Sequence, residues 1–191
     1  MRSIGVSQQR ITLQDSDEAL LRGISPEMPS GLGELARRYE RGLLGLALGL
    51  LNGRADLARD AVQETWIRVM RFAASFGGRC EVRTWLYRIA VNQCRDLATW
   101  AARIPGELPQ EHAPAREEAN VAAADETRNE LRRRVLSLPA DQREVVLLCY
   151  HADMTHAAAA EILEIPVGTL KSRLHAALET LRAELKLEDV A

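Results

Sequence analysis

Aromatic residues make up only 4% of this 191-residue chain, and its apolar content is carried by Leu, Ala and Val. Sheets draw on aromatic and β-branched side chains, so this composition favours helices over strands. Cysteine is scarce as well. Cys80, Cys94 and Cys149 are odd in number and widely spaced, with no C-x-x-C pair, which argues against a zinc site and a disulfide framework. His151 and His156 lie near Cys149, but no ligand spacing repeats there, so no metal is expected. No apolar run approaches the length of a membrane span; the stretch 43–51 is far too short. Residues 1–21 lack the apolar core of a secretion signal, and a cytoplasmic protein without membrane insertion is expected. Phosphate loops, paired acids and nucleophile constellations are missing too. A hydrolase or nucleotidyl transferase would need one of these, so no catalytic residue, cofactor or covalent chemistry is expected.

Net charge is also small, at −2, but it hides a division. Residues 31–104 carry 12 basic and 7 acidic side chains, a net of +5. Residues 105–130 carry 2 basic and 7 acidic, a net of −5, and residues 131–186 carry 8 and 7, a net of +1. Local patches rather than net charge set an electrostatic footprint, so near-neutrality does not exclude a nucleic-acid partner.

Helical periodicity is what the chain has in abundance. A short helix is expected near residues 17–23, capped by Ser16 or Asp15. Leu32, Leu35, Ala36, Tyr39, Leu43, Leu46, Ala47 and Leu50 keep one face of a second helix, which Asn52-Gly53 breaks. Leu57, Ala61, Thr65, Val69 and Phe72 mark a third helix over 55–72. After the Gly77-Gly78 loop, Val82, Trp85, Leu86, Ile89, Ala90, Gln93 and Leu97 mark a fourth over 82–101, whose other face carries Arg83, Arg88, Asn92, Arg95 and Asp96. The acidic stretch beyond it holds three prolines and few large apolar residues, and reads as a linker that cannot bury a core. The expected fold is all-α: two small helical domains joined by a flexible acidic linker, the second ending in a helix-turn-helix. The boundaries are an N-terminal segment 1–30, a first domain 31–104, a linker 105–130 and a second domain 131–191.

The second domain holds the most telling segment. After a helix over 140–151, Thr155 can cap a short helix whose Ala157, Ala158, Ala159 and Ala160 admit a close crossing partner. Pro166 suits the first turn of the next helix. Val167, Leu170, Leu174, Leu178, Leu181 and Leu185 form its buried stripe. Gly168, Lys171, Ser172 and His175 then face away, at a helix N-terminus whose N–H groups and short polar side chains suit a DNA major groove. An ordinary helical hairpin with a solvated charged face would show the same pattern.

Two stretches together resemble the bacterial RNA polymerase sigma factors of the extracytoplasmic-function (ECF) group. Residues 60–97 carry D-x-x-Q-E and T-W-L-Y-R-I-A-x-N, like that group's promoter-melting domain. Residues 138–174 carry L-P-x-x-x-R-E and P-V-G-T-x-K-S-R-L, like its upstream-promoter reader. The resemblance spans roughly residues 16–185, and both motifs in this order are specific. It implies an initiation factor that binds core RNA polymerase and promoter DNA, recognises the minus-ten and minus-thirty-five elements, and promotes melting. Asp60, Gln63, Glu64, Ile67, Arg68 and Arg71 would dock on the polymerase clamp helices. Phe76 and Asn92 would hold a flipped base, and Arg83, Arg88 and Arg95 would track the backbone. Gly168, Thr169, Lys171, Ser172, Arg173 and His175 would read the upstream element, with Arg143 as a further backbone contact. Members of the group are commonly held inactive by an anti-sigma protein wedged between the domains, a geometry that a flexible linker permits.

The chain departs from the family pattern in several places. Ala176 and Leu178 stand where basic residues are usual, Ala158, Ala159 and Ala160 where Glu-Ile-Ala is frequent, and Glu164 where glycine is usual. The end of the melting helix, residues 96–103, keeps only Arg103 as a cation. Fewer cations mean weaker phosphate binding, so the free protein is expected to bind promoter DNA poorly and to depend on polymerase for its placement. Two other readings remain open. A stand-alone helix-turn-helix regulator explains the second domain but not Phe76, Asn92 and the helix around Asp60. A non-DNA-binding adaptor would use the depleted reader as a protein-docking surface.

Overall fold

Ser16 accepts a hydrogen bond from the Ala19 amide and so caps α1 (Asp17–Arg22). A computed structural model describes residues 16–24, 30–103 and 122–188. After α1 come three long helices: α2 (Ser30–Leu50), α3 (Ala55–Phe72) and α4 (Val82–Ala101). Asn52 and Gly53, both at positive φ, make the turn between α2 and α3. A single 3-10 turn, Ala73–Ser75, ends α3. Leu35, Leu43, Leu46, Leu57, Ala61, Val69, Leu86 and Ala90 are buried along the stripes that periodicity marks. Phe72, expected at the end of the α3 stripe, is instead 46% exposed, because the chain turns away beneath it.

The second half comprises α5 (Ala122–Ser137), α6 (Ala140–Val146), α7 (His156–Leu163) and α8 (Val167–Glu188). Every described element is helical. Of the expected linker over 105–130, residues 105–121 lie outside the described residues, and 122–130 form the first half of α5. The expected helix over 140–151 is not uniform. It widens after Val146 into a π turn, Leu147–His151, closed by Ala152 N–H donating to the Leu147 carbonyl at 2.9 Å. A π turn inserts one extra residue, so it rotates the chain beyond Val146 and turns His151 toward α2.

Thr155 caps α7 by accepting from the Ala158 amide at 3.2 Å. Glu164 closes that helix in the left-handed region, at φ 58°. A residue with a Cβ is strained there by about 1–2 kcal/mol, and glycine is not. Glu164→Gly is therefore expected to stabilise the protein by about 1 kcal/mol, less whatever glycine adds to the freedom of the unfolded chain. A urea titration reads the change as a raised midpoint with an unaltered slope, and an unchanged midpoint would contradict it.

The two halves share one hydrophobic core. It runs without a break from Leu43, Leu46 and Ala47 of α2 through Tyr87, Ala90, Val91 and Cys94 of α4. From there it continues into Val145, Leu148, Ala159, Ile162, Leu170 and Ala177 of the second half. A smaller cluster, Leu20, Leu21, Leu35, Val69, Val82 and Leu86, fixes α1 against the first three long helices. α4 packs against α7, and the π turn packs against α2. This contact explains why Tyr87, Val91 and Cys94 are buried although they lie off the stripe that periodicity marks on α4. The helix is covered on a second side.

Candidate nucleic-acid interface

The loop after α3 forms the first candidate surface. Phe76 is half-buried, and its ring lies 5.4 Å from that of Trp85 at a 58° tilt. Such an edge-tilted pair fixes the phenyl ring without hiding it. Around the pair is an open cavity of about 330 Å³ lined also by Ser75, Gly77, Arg79, Cys80 and Arg88. It has an aromatic wall, two guanidinium groups and room for one planar ring. Asn92 is exposed two turns further along α4. Arg79 is not among the residues that the sequence motifs mark, although a cation beside the Gly77-Gly78 loop was a usable signal.

The three arginines expected to track the DNA backbone are all engaged within the chain. Arg95 makes a two-pronged ion pair with Glu144 of α6, at 2.8 and 2.7 Å, which raises the guanidinium pKa further. Arg88 pairs with Glu161 of α7 at 2.7 Å. Arg83 donates to the carbonyl of Ala152 and lies 5.9 Å over the Tyr87 ring. All three link α4 to the second half, in part through acidic residues to which the sequence motifs give no role.

The second candidate surface is the start of α8. Gly168, Lys171, Ser172 and His175 are exposed, and Thr169 is half-buried. Ser172 donates its hydroxyl proton to the Thr169 carbonyl at 2.9 Å. Arg173 lies 3.3 Å from Asp141 of α6. Leu170, Leu174, Ala177 and Leu181 face the core. Val167, expected in the stripe, is 41% exposed, and the Leu185 side chain lies outside the described residues. Leu178 packs partly against the core, so its missing cation removes nothing from the outer face, whereas Ala176 is exposed on it. Arg143 stands apart from this set. It is 8% exposed and donates to the Leu136 carbonyl at 2.7 Å, and burial pushes its guanidinium pKa down. In this arrangement it is an internal strut rather than a surface cation.

The third surface is the outer side of α3. Asp60, Gln63, Ile67 and Arg71 are exposed, while Glu64 and Arg68 pair at 3.2 Å. With the buried Gln93 amide turned so that its oxygen faces α3, that oxygen accepts from Arg68 Nε at 2.9 Å. Beside them runs a largely apolar groove of about 440 Å³, lined by Leu32, Leu44, Val62, Trp66, Ile67 and Met70 together with Glu40, Arg59 and Gln63. Trp66 is half-buried and packs against both cores. Ile67 and Met70 are 37% and 48% exposed beside a row of charges, the composition of a docking face. Among the described residues no three His, Cys, Asp or Glu side chains are grouped to hold a metal ion. Among them, too, no helix is long and apolar enough to cross a membrane.

Residues 35–104 match the family model of sigma-70 region 2, and residues 128–181 match that of sigma-70 region 4. The ECF RNA polymerase sigma-E factor of Haemophilus influenzae is 30% identical over 91% of this chain and 97% of its own length. SigW of Bacillus subtilis, another ECF sigma factor, is 32% identical over 70% of this chain and 78% of its own. Among solved structures, CnrH in complex with the cytosolic domain of CnrY shares the fold at a TM-score of 0.69 and 23% identity, over 91% of this chain and 99% of that one. The sigma factor RpoE of Bartonella quintana, in complex with the anti-sigma factor NepR, does so at 0.65 and 24%, over 81% and 96%. With both sigma-70 regions in order and one relative matched along nearly its whole length, this chain belongs to the ECF sigma factors of bacterial RNA polymerase.

Proposed function

We propose that the chain joins core RNA polymerase through α3, reads an upstream promoter element with the start of α8, and opens the downstream element with the Phe76 pocket and α4. The observation that carries this reading is the division of labour over the surface. The exposed polar and apolar residues of α3 lie together beside the groove, while the candidate DNA-reading groups sit on the loop before α4, on α4 and on α8. A stand-alone regulator has no use for a base pocket or for a docking groove. The protein performs no covalent step, needs no cofactor and works in the cytoplasm with polymerase. A small protein like those held by the two solved neighbours is proposed as a further partner.

Retention on immobilised core polymerase tests the docking face. Ile67→Arg places a charge against the apolar groove, and an interfacial charge without a partner costs several kcal/mol. The variant is expected to be retained at least tenfold more weakly, with unchanged helical content. Undiminished retention would remove α3 from the interface.

A further inference from the structure

Trp100, near the end of α4, is 53% exposed. A single apolar side chain on a surface is ordinary, but the place of this one is not. Ala98, Thr99, Ala102 and Arg103 around it are exposed as well, while Leu97 and Ala101 pack against the main core. The end of α4 therefore presents one open side to solvent, and its backbone is fixed there. Ala102 N–H donates to the Ala98 carbonyl and Arg103 N–H to the Trp100 carbonyl, both at 3.0 Å. Thr99 donates its hydroxyl proton to the Arg95 carbonyl at 2.8 Å. Helical geometry puts Trp100 about 12 Å further along α4 than Asn92 and about 80° round from it. It is an indole held on a rigid, uncovered helix end beside the Asn92 row.

We propose that Trp100 is a stacking platform for the base pair that closes the duplex on the upstream side of the opened element. The inference rests on the reading of Phe76 and Asn92 as the pocket for the flipped base. The C-terminal end of α4 leads to the half that carries the upstream reader, so DNA upstream of that base runs along α4 from Asn92 toward Trp100. The offset between the two, less the reach of an indole, places the ring over the first closed pairs. Extracting a base leaves the face of a neighbouring pair bare, and an aromatic ring can cover it. The composition of the helix end fits this role. Residues 96–103 hold one cation, Arg103, and one acid, Asp96, so their net attraction to phosphates is small. Stacking needs no charge, and every base offers a face to it. Polymerase is the competing cover, because Gln93 lies on nearly the same side of α4 and faces Arg68 of α3. The groove that marks the docking face is walled by α2 and α3, however, and Trp100 is not part of its lining.

Core polymerase carrying the full-length chain tests this on two DNA probes, both taken from a promoter mapped by sequencing transcript 5′ ends. One is a fork, duplex through the upstream element with one strand continuing as a single-stranded tail that includes the flipped base. The other is the tail alone. Trp100→Ala is expected to weaken binding to the fork at least about fivefold, the lower end of what stacking on one base contributes, and to leave binding to the tail within about twofold. Trp100→Phe keeps an aromatic face and is expected to bind the fork within about twofold of the native chain. The slope of log affinity against log salt should not change in either variant, since the lost contact neutralises no phosphate. Fork binding that Trp100→Ala leaves intact overturns the inference, and so does an equal loss on both probes or a phenylalanine variant no better than alanine. A parallel fall in retention on polymerase assigns Trp100 to the polymerase interface and overturns it too. The functional reading is scored by the native chain and by Phe76→Ala, which is expected to weaken both probes. If the native chain binds neither probe better than core polymerase alone, that reading falls and this inference with it. Native-like fork binding by Trp100→Ala removes this inference alone.

Discussion

Replacing Phe76 and Asn92 together by alanine is expected to cut run-off transcription with core polymerase by at least about a hundredfold, while retention on polymerase stays within about twofold. Two modest contributions add to give that loss. Stacking of an unstacked base on an aromatic side chain is worth about 1–3 kcal/mol by alanine substitution. Hydrogen bonding to the base edge adds about the same. Together these span about 2–6 kcal/mol, and the middle of that range, about 4 kcal/mol, exceeds the roughly 2.8 kcal/mol that a hundredfold change represents. The geometry shows why Phe76 should carry the stacking. Its ring is braced by Trp85 at 5.4 Å, both rings line the open cavity, and both pack against the smaller core. Helical content and polymerase retention that stay unchanged in the double variant separate a pocket defect from a fold defect. Transcription that survives the double variant, measured from the same promoter, would remove the loop from melting. If polymerase retention fell in parallel, the defect would lie in docking instead.

Leu148→Ala is expected to destabilise the whole molecule by about 2–5 kcal/mol, the range for a fully buried leucine whose cavity does not collapse. Leu148 has no exposed surface and sits in the core shared by the two halves. The shape of the transition is more informative than its size. With one continuous core, heating should unfold the α3–α4 region and the α7–α8 region together, in one transition lowered by roughly 5–15 °C. Two separated domains would instead show a second, unmoved transition in the calorimeter. Leu131 is a built-in control, since it is 53% exposed and its alanine variant should change stability by no more than about 0.5 kcal/mol.

The helices are legible in the sequence because each buries its own periodic stripe. The starts and ends of α2, α3 and α4 agree with the stripes and turn residues almost to the residue. The docking of the two halves is not legible there. Tyr87, Val91 and Cys94 lie off the α4 stripe, and only the arrival of a second helical layer explains their burial. The arginines of α4 read as a solvated or DNA-facing row, since nothing local shows that Glu144, 49 residues on, and Glu161, 73 residues on, are their partners. Arg143 misleads for a related reason. A cation four residues into a helix looks exposed until the loop before it places the Leu136 carbonyl within reach. Gly42, Gly45 and Gly49 of α2 are a local signal that helical periodicity passes over. Glycine at that density in a helix interior marks close packing, and here Gly45 and Gly49 face a π turn that sequence alone draws as ordinary helix, while Gly42 faces the Tyr87 hydroxyl.

The central claim is that this chain directs where polymerase starts. The measurement that reaches it most directly is in vitro transcription of sheared genomic DNA by purified core polymerase, with and without the protein, with the transcript 5′ ends sequenced. A discrete set of new start sites is expected only with the protein, each preceded by the same two spaced sequence elements. A transcript profile unchanged by the protein, even one accompanied by DNA binding, would contradict it.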